Sequence, residues 1–210
     1  MQNLFPLLAA LAAYLLGSLA FAVIVSRVMG LSDPRTFGSG NPGATNVLRS
    51  GSKAAALVTL LLDACKGLVP VLVVKAWGGD AGLGAGTVGA VALAAFLGHL
   101  YPVFFGFKGG KGVATFIGAV FGIDWLLGLA TGATWLIIAY FFRYSSLASL
   151  VSAVFAPVYF LLGGGVAWAA APPVAACLAV MALLLVWRHR ENINRLVAGT
   201  ESKLGAKKKA

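Results

Sequence analysis

Charge is what this chain has least of. Asp, Glu, Lys and Arg make up 10% of its 210 residues, against about 25% in a soluble globular domain. Acidic residues are rarest, with six in all, and no cluster of aspartates stands ready to hold a metal ion. The two cysteines, Cys65 and Cys177, lie inside apolar runs without metal-ligand spacing. They read as small hydrophobes, not as a disulfide or a zinc site. Gly-x-Ser-x-Gly is absent: Gly17-Ser18 and Gly38-Ser39-Gly40 do not fit the nucleophile elbow. A Walker A loop is absent too, because Gly112-Val113 stand where Lys-Ser/Thr would be needed, so nucleotide hydrolysis has no support.

What is present is apolar sequence, 60% of the chain. No soluble core of this length could use so much. The run Leu4 to Val25 carries no charge and is followed, not preceded, by Arg27. It reads as a retained first span instead of a signal peptide. Further runs are Ala54–Val74, Leu83–Phe105, Val113–Ile123, Trp125–Phe142, Leu147–Leu162 and Val166–Trp187. The fourth run is too short for an ordinary crossing, and the sixth is short and contains Pro157. Both are expected to be short or half-length helices packed inside protein. The expected fold is an all-α integral membrane protein of about seven transmembrane helices, one domain over residues 1–210. No repeat is evident, and residues 200–210 form a flexible basic tail.

Cations orient the chain. All of the 16 Lys and Arg residues except Lys66 and Lys75 fall in the segments 27–53, 108–111 and 143, or in the tail from Arg188. The positive-inside rule then puts the N-terminus outside and the C-terminus in the cytoplasm. The net charge of +10 needs no nucleic acid as a partner. It matches the anionic lipids and substrates of that face.

Three polar clusters share the cytoplasmic side. The first is Gly38-Ser39-Gly40-Asn41-Pro42-Gly43-Ala44-Thr45-Asn46 with Arg49. Its small, hydroxyl and amide residues suit a loop that offers N–H donors to phosphate oxygens, with Arg49 able to grip them in two places. The second is Lys108-Gly109-Gly110-Lys111-Gly112: glycine allows close backbone approach to an anion, and lysine supplies charge. The third is Arg188 to Leu196 followed by Gly199-Thr200-Glu201, in which His189 and Asn192 would share a face of a continuing helix. For Arg188, Arg190 and Arg195 the plain alternative is anchoring at the membrane surface, and Glu201 fits a structural partner of an arginine. Asp63 and Lys66 are three apart in the second span and read as a bridge beside the site. His99 is a weak candidate, and Asp80 and Asp124 read as external turn residues.

Neither histidine is followed by aspartate five residues on, so the His-x-x-x-x-Asp pair of the common glycerolipid acyltransferases is missing. Taken together, the three clusters resemble the bacterial acyl-phosphate-dependent glycerol-3-phosphate acyltransferases, in order, with family-like spacing and over nearly the whole chain. The pattern Asp63, Lys66 and Gly67 is similar to that family as well. The resemblance implies acyl transfer from acyl phosphate to the 1-hydroxyl of sn-glycerol 3-phosphate, the first acylation of bacterial phospholipid synthesis, at the cytoplasmic (inner) membrane. It implies Ser39, Arg49, His189 and Asn192 as catalytic residues. It assigns phosphate binding to Gly38, Gly40, Asn41, Gly43, Thr45, Asn46 and to Lys108, Gly109, Gly110, Lys111 and Gly112. Asp63, Lys66 and Glu201 would support the structure. No metal or other cofactor, no nucleic acid and no obligatory protein partner is implied; the partners are the two substrates and membrane lipid. A transporter or flippase of a phosphorylated small molecule would share the basic loops and broken helices, but it is expected to show internal repeats.

Overall fold

The structure is a computed structural model that describes residues 4–79 and 81–205. It contains helices α1 (Phe5–Gly17), α2 (Phe21–Val28), α3 (Ala44–Val47), α4 (Lys53–Trp77), α5 (Ala85–Leu100), α6 (Val113–Ile123), α7 (Trp125–Phe142), α8 (Ser145–Leu162), α9 (Pro172–Arg188) and α10 (Arg190–Val197). Among the described residues there is no strand, only an isolated bridge between Gly164 and Trp168. The protein is an all-α integral membrane protein. Leu7, Leu11, Leu61, Leu136, Ile137, Phe141, Leu162 and Leu183 turn large apolar side chains outward, as a surface against lipid tails requires and a soluble surface forbids.

Local sequence sets several helix ends. Ser52 caps α4 by accepting from Ala55 N at 3.1 Å. Asp124 caps α7 by accepting from Leu126 N and Leu127 N at 2.8 and 3.1 Å, a capping role that its reading as a turn residue did not include. Pro172 and Pro173 open α9, where a missing N–H costs nothing.

Four stretches are long and apolar enough to cross a bilayer alone: Lys53–Trp77, Ala85–Phe105, Trp125–Phe142 and Ser145–Leu162. The bent pairs α1 with α2 (41°) and α9 with α10 (58°) raise the number to as many as six. The sequence expectation needs adjusting at four places. The sixth segment is not short: Ser145 and Ser146 belong to the helix, Ser149 Oγ bonds back to Ser145 O, and Pro157 is accommodated inside 18 residues. The first segment is broken at Ser18–Ala20. The last span begins at Pro172 rather than Val166, because residues 163–171 turn around Trp168, whose Nε1 donates to Phe160 O at 2.7 Å. At its other end the helix bends at His189 instead of continuing straight.

Glycine brings two helix pairs into backbone contact, the usual device where no hydrophobic force joins helices in lipid. A Cβ on Gly17 would strike the Ala95 backbone, and one on Gly98 would strike Tyr14 O; α1 and α5 meet there. A Cβ on Gly67 would strike Thr115 O, and one on Gly118 would strike Ala64 O; α4 and α6 meet there. The second contact fixes depth. Helix α6 has 11 residues, roughly 16 Å at 1.5 Å per residue, about half the hydrocarbon thickness. It begins beside Asp63, where Thr115 Oγ1 donates to Asp63 O at 2.9 Å. It ends beside Lys75, which donates to Ile123 O at 2.7 Å. Asp63 lies ten residues along α4 from Lys53, about 15 Å in. The C-terminal end of the loop between α5 and α6 therefore sits beside Asp63, while Phe104 and Gly106 to Lys108 are exposed.

An ion pair sits at that level. Lys66 Nζ lies 2.8 Å from Asp63 Oδ1, with side-chain exposures of 1% and 3%. Lys66 also donates to Leu19 O at 2.7 Å, so it satisfies a carbonyl freed by the break between α1 and α2. Its ammonium lies 5.6 Å from the Phe21 ring centroid. Lys66→Met leaves Asp63 buried without its charge partner and should lower stability by about 3–5 kcal/mol. The Asp63→Asn/Lys66→Met double variant should regain part of it. Thermal unfolding in detergent checks both, and a single variant that melts with the wild type would contradict the assignment.

Candidate active site

The first loop is built on one buried amide. Asn46, at 2% exposure, donates through Nδ2 to Pro34 O at 2.6 Å and Phe37 O at 3.1 Å. Its Oδ1 accepts from Ser39 N at 3.1 Å and lies 3.4 Å from Arg49 Nη1. Asn46 thus organises the loop and holds its arginine, a different job from lying open to a ligand. Gly38 and Gly40 have φ of +62° and +66°, where a Cβ is strained; at Gly38 it would also meet Asn46 Oδ1. Ser39 is exposed, and its hydroxyl has no protein partner among the described residues. Arg49 is exposed and reaches Ser202 Oγ at 3.0 Å. Thr45 Oγ1 lies 3.4 Å from Ser145 Oγ. Asn41 is half-buried, with its Nδ2 against Gly43.

The second loop, Lys108 to Gly112, passes over His99. Gly110 N donates to His99 O at 3.2 Å. Gly109 and Gly110 do not have positive φ; they are glycine because there is no room. A Cβ on Gly109 would run into the carbonyls of His99 and Leu100, and one on Gly110 into His99 Nε2 and Pro42 O. Gly112 needs both reasons, with φ +81° and Phe96 and Leu100 against it. The proximity of Pro42 O to Gly110 brings the first and second loops together. Behind them His99 Nδ1 lies 3.1 Å from Thr115 Oγ1 and 3.6 Å from Asp63 Oδ1, joining the loop to the buried ion pair. An open cleft of about 490 Å³ lies between the loops, lined by Asp33, Arg35, Thr36, Gly40, Pro42, Lys108 and Gly109.

The third cluster closes the site from α9 and α10. Lys111 Nζ donates to Asn192 Oδ1, Asn192 Nδ2 donates to Glu201 Oε1 at 2.6 Å, and Glu201 Oε2 pairs with Arg195 Nε at 2.7 Å. Ser146 Oγ donates to the same Oε1 at 2.6 Å. Burial alone would raise the Glu201 pKa; the bonds from Ser146, Asn192 and Arg195 outweigh it and hold the carboxyl below its ordinary value. His189 stands apart. It is buried, it does not bond Asn192 among the described residues, and Nδ1 sits 2.8 Å from Leu185 O. A carbonyl only accepts, so Nδ1 carries the proton and Nε2 is left as an acceptor. Burial, reinforced by the charges of Lys111 and Arg188, pushes its pKa down to about 4.

Three side chains matter more here than their sequence positions suggest. Arg188 bonds the carbonyls of Gly109 and Gly110, which an anchoring arginine at a span end would not do. Ser146 joins the Glu201 network, yet in sequence it is one serine at a helix start. Arg35 lines the cleft while paired to Asp33 at 2.6 Å. The tail is also less free than its composition implies: besides Glu201 and Ser202, Leu204 N donates to Arg143 O and Arg143 Nη2 donates to Leu204 O. The expected mobile stretch 200–210 is therefore docked through Leu204, and residues 206–210 lie outside the described chain.

A family model described as glycerol-3-phosphate acyltransferase matches residues 7–199. The chain belongs to the glycerol-3-phosphate acyltransferase family. A glycerol-3-phosphate acyltransferase of Albidiferax ferrireducens is 66% identical over 207 residues, spanning 99% of this chain and 92% of that protein. Its counterpart in Bordetella petrii is 64% identical over 197 residues, spanning 94% and 92%. The crystal structure of PlsY (YgiH), an integral membrane glycerol 3-phosphate acyltransferase, in its glycerol 3-phosphate form superposes with a TM-score of 0.86. The identity is 41%, over 95% of this chain and 96% of that one. Its lysophosphatidic acid form gives 0.84 at 40% identity, over 95% of each chain. Membership of the family and the all-helical membrane fold are thereby shown together.

For a family of this name the glycine loop is expected to bind glycerol 3-phosphate, and that binding should be sensitive to the state of Lys111. Burial, with the Arg195 charge next in weight, pushes its ammonium down to about 8. The cation is present below that pH and is lost as pH rises through it. Binding of glycerol 3-phosphate, a dianion throughout this range, should weaken progressively above pH 8. Lys111→Arg should shift that loss to higher pH. Calorimetric titration between pH 7 and 10 checks this, and constant affinity in the wild type would count against a role for Lys111.

Proposed function

We propose that this protein transfers an acyl group from acyl phosphate to the 1-hydroxyl of sn-glycerol 3-phosphate, giving 1-acyl-glycerol 3-phosphate and inorganic phosphate. The observation that carries the reading is the meeting of two anion-suited loops at Pro42 and Gly110, in a family named for glycerol 3-phosphate. Glycerol 3-phosphate accounts for one loop. A donor that is itself a phosphate accounts for the other, whereas an acyl thioester brings no second phosphate to the reacting carbonyl. We assign glycerol 3-phosphate to Lys108–Gly112 and the acyl phosphate to the loop from Gly38 to Asn46, with Ser39 donating a hydrogen bond and Arg49 neutralising charge.

The chemistry asks for position and charge more than for a covalent intermediate. Acyl phosphate is already activated. The glycerol oxygen attacks the acyl carbon, the bond between that carbon and the bridging oxygen breaks, and phosphate leaves with the oxygen and the electron pair. Holding two anions together against their repulsion is the main task of the protein. The hydroxyl proton passes to a phosphate oxygen, whose second pKa is about 6. His189, with Nδ1–H held by Leu185 O and Nε2 left as an acceptor, is the rival base.

The three clusters converge at one end of the helical bundle through Lys111 with Asn192, Arg188 with Gly110, Arg49 with Ser202 and Ser146 with Glu201. That end carries the excess of cations, so we assign it to the cytoplasmic face of a bacterial inner membrane, with the N-terminus outside. In a cysteine-free background, a cysteine at Gly84 should react with an impermeant reagent applied to intact cells, and one at Lys203 should not. The reverse pattern would overturn the orientation.

Purified protein should form labelled lysophosphatidate from labelled glycerol 3-phosphate and acyl phosphate, and not from acyl thioesters. Ser39→Ala and Arg49→Ala should each cut the rate by roughly a hundredfold or more. Turnover with a thioester alone would refute the donor assignment.

A further inference from the structure

We infer that Arg188 is a positioning residue that sets the polarity of the anion cradle formed by Lys108 to Gly112. The inference rests on the reading of that loop as a phosphate site. Arg188 is the last residue of α9, at the 58° bend into α10. Its Nη2 donates to Gly109 O at 2.9 Å and to Gly110 O at 3.0 Å, and its Nε donates to Gly110 O at 3.2 Å. The guanidinium carbon lies 5.9 Å from the Tyr101 ring centroid, and Tyr101 O is itself fixed by Tyr14 Oη at 2.7 Å. The arginine is held by α5 and α1 while it holds the loop.

Peptide geometry turns this grip into a direction. Among the described residues there is no cis peptide, so the carbonyl and the N–H of one peptide unit point to opposite sides. In the Gly109–Gly110 unit the carbonyl goes to Arg188 and the N–H goes to His99 O at 3.2 Å. In the Gly110–Lys111 unit the carbonyl goes to Arg188, so the Lys111 N–H faces the other way. Among the described residues it has no acceptor. Two carbonyl dipoles that would repel a phosphate are thereby taken up by Arg188, and the Lys111 amide on the opposite side is left to donate to an anion. Nη2 alone reaches both carbonyls, and the planar fork adds a second bond to Gly110 O through Nε; a lysine ammonium would keep the charge and lose that two-point grip.

Steady-state kinetics in both substrates, on the wild type, Arg188→Lys and Arg188→Ala, tests the inference. Both variants should raise KM for glycerol 3-phosphate about tenfold or more, with a smaller fall in kcat and an unchanged KM for acyl phosphate. Added guanidinium ion should lower the raised KM of Arg188→Ala, and methylammonium should not. A wild-type KM in Arg188→Lys would reduce Arg188 to a charge. Equal losses in both substrates without rescue would reduce it to a packing residue. Amide exchange on the wild-type protein needs no variant: inorganic phosphate and glycerol 3-phosphate should each protect the Lys111 amide, and its exchange unchanged by either would overturn the inference. Protection without any acyl transfer would instead refute the functional reading and leave the cradle standing.

Discussion

Backbone that is not helical can lie at membrane depth only if protein atoms take its hydrogen bonds, and the candidate site depends on how this chain meets that condition. The break between α1 and α2 and the glycine loop both lie near the level of Asp63. At the break, Leu19 O is taken by Lys66, and Lys66 is balanced by Asp63. At the loop, Gly109 O and Gly110 O are taken by Arg188, and Gly110 N by His99 O. Thr115 and His99 tie the two places together. Intramembrane charge, costly anywhere in lipid, is used here to make irregular backbone tolerable where a polar cleft is needed.

A polar cleft at one end of a helical bundle suits a reaction between a lipid-borne acyl donor and a small water-soluble anion. Flanking low-dielectric helices strengthen every charge–phosphate contact, which a shallow surface loop would lose to solvent. Stiffness follows from the same parts. Asn46 fixes the first loop, Arg188 fixes the second, and the chain Lys111–Asn192–Glu201–Arg195 fixes the third against both the second loop and α8. Asn192, read from sequence as catalytic, has both ends of its amide engaged by Lys111 and Glu201. The amide thereby links Lys111 of the second loop to Glu201.

Much of this was legible in the sequence, and the remainder was hidden for identifiable reasons. Val113–Ile123 and Trp125–Phe142 were read to the residue, because Gly112 and Asp124 interrupt the apolar pattern on both sides of the short helix. The three clusters were legible because glycine, lysine and asparagine are conspicuous among apolar runs. The break at Ser18–Ala20 was not, since no proline marks it and its partner Lys66 is 47 positions away. Arg188 was masked by a sufficient local explanation, as an arginine at a span end is expected to anchor. The depth of the glycine loop depends on where α5 stops and α6 starts relative to Asp63, a property of packing that periodicity does not carry.

The central claim is that both phosphates are held at once and the acyl group passes directly between substrates. Rapid mixing of the purified enzyme with acyl phosphate alone, followed by phosphate detection and mass spectrometry of the intact chain, tests it most directly. Direct transfer predicts no phosphate burst and no acylated protein until glycerol 3-phosphate is added. A stoichiometric burst without glycerol 3-phosphate, with the acyl group recovered on Ser39 at a rate matching turnover, would contradict it.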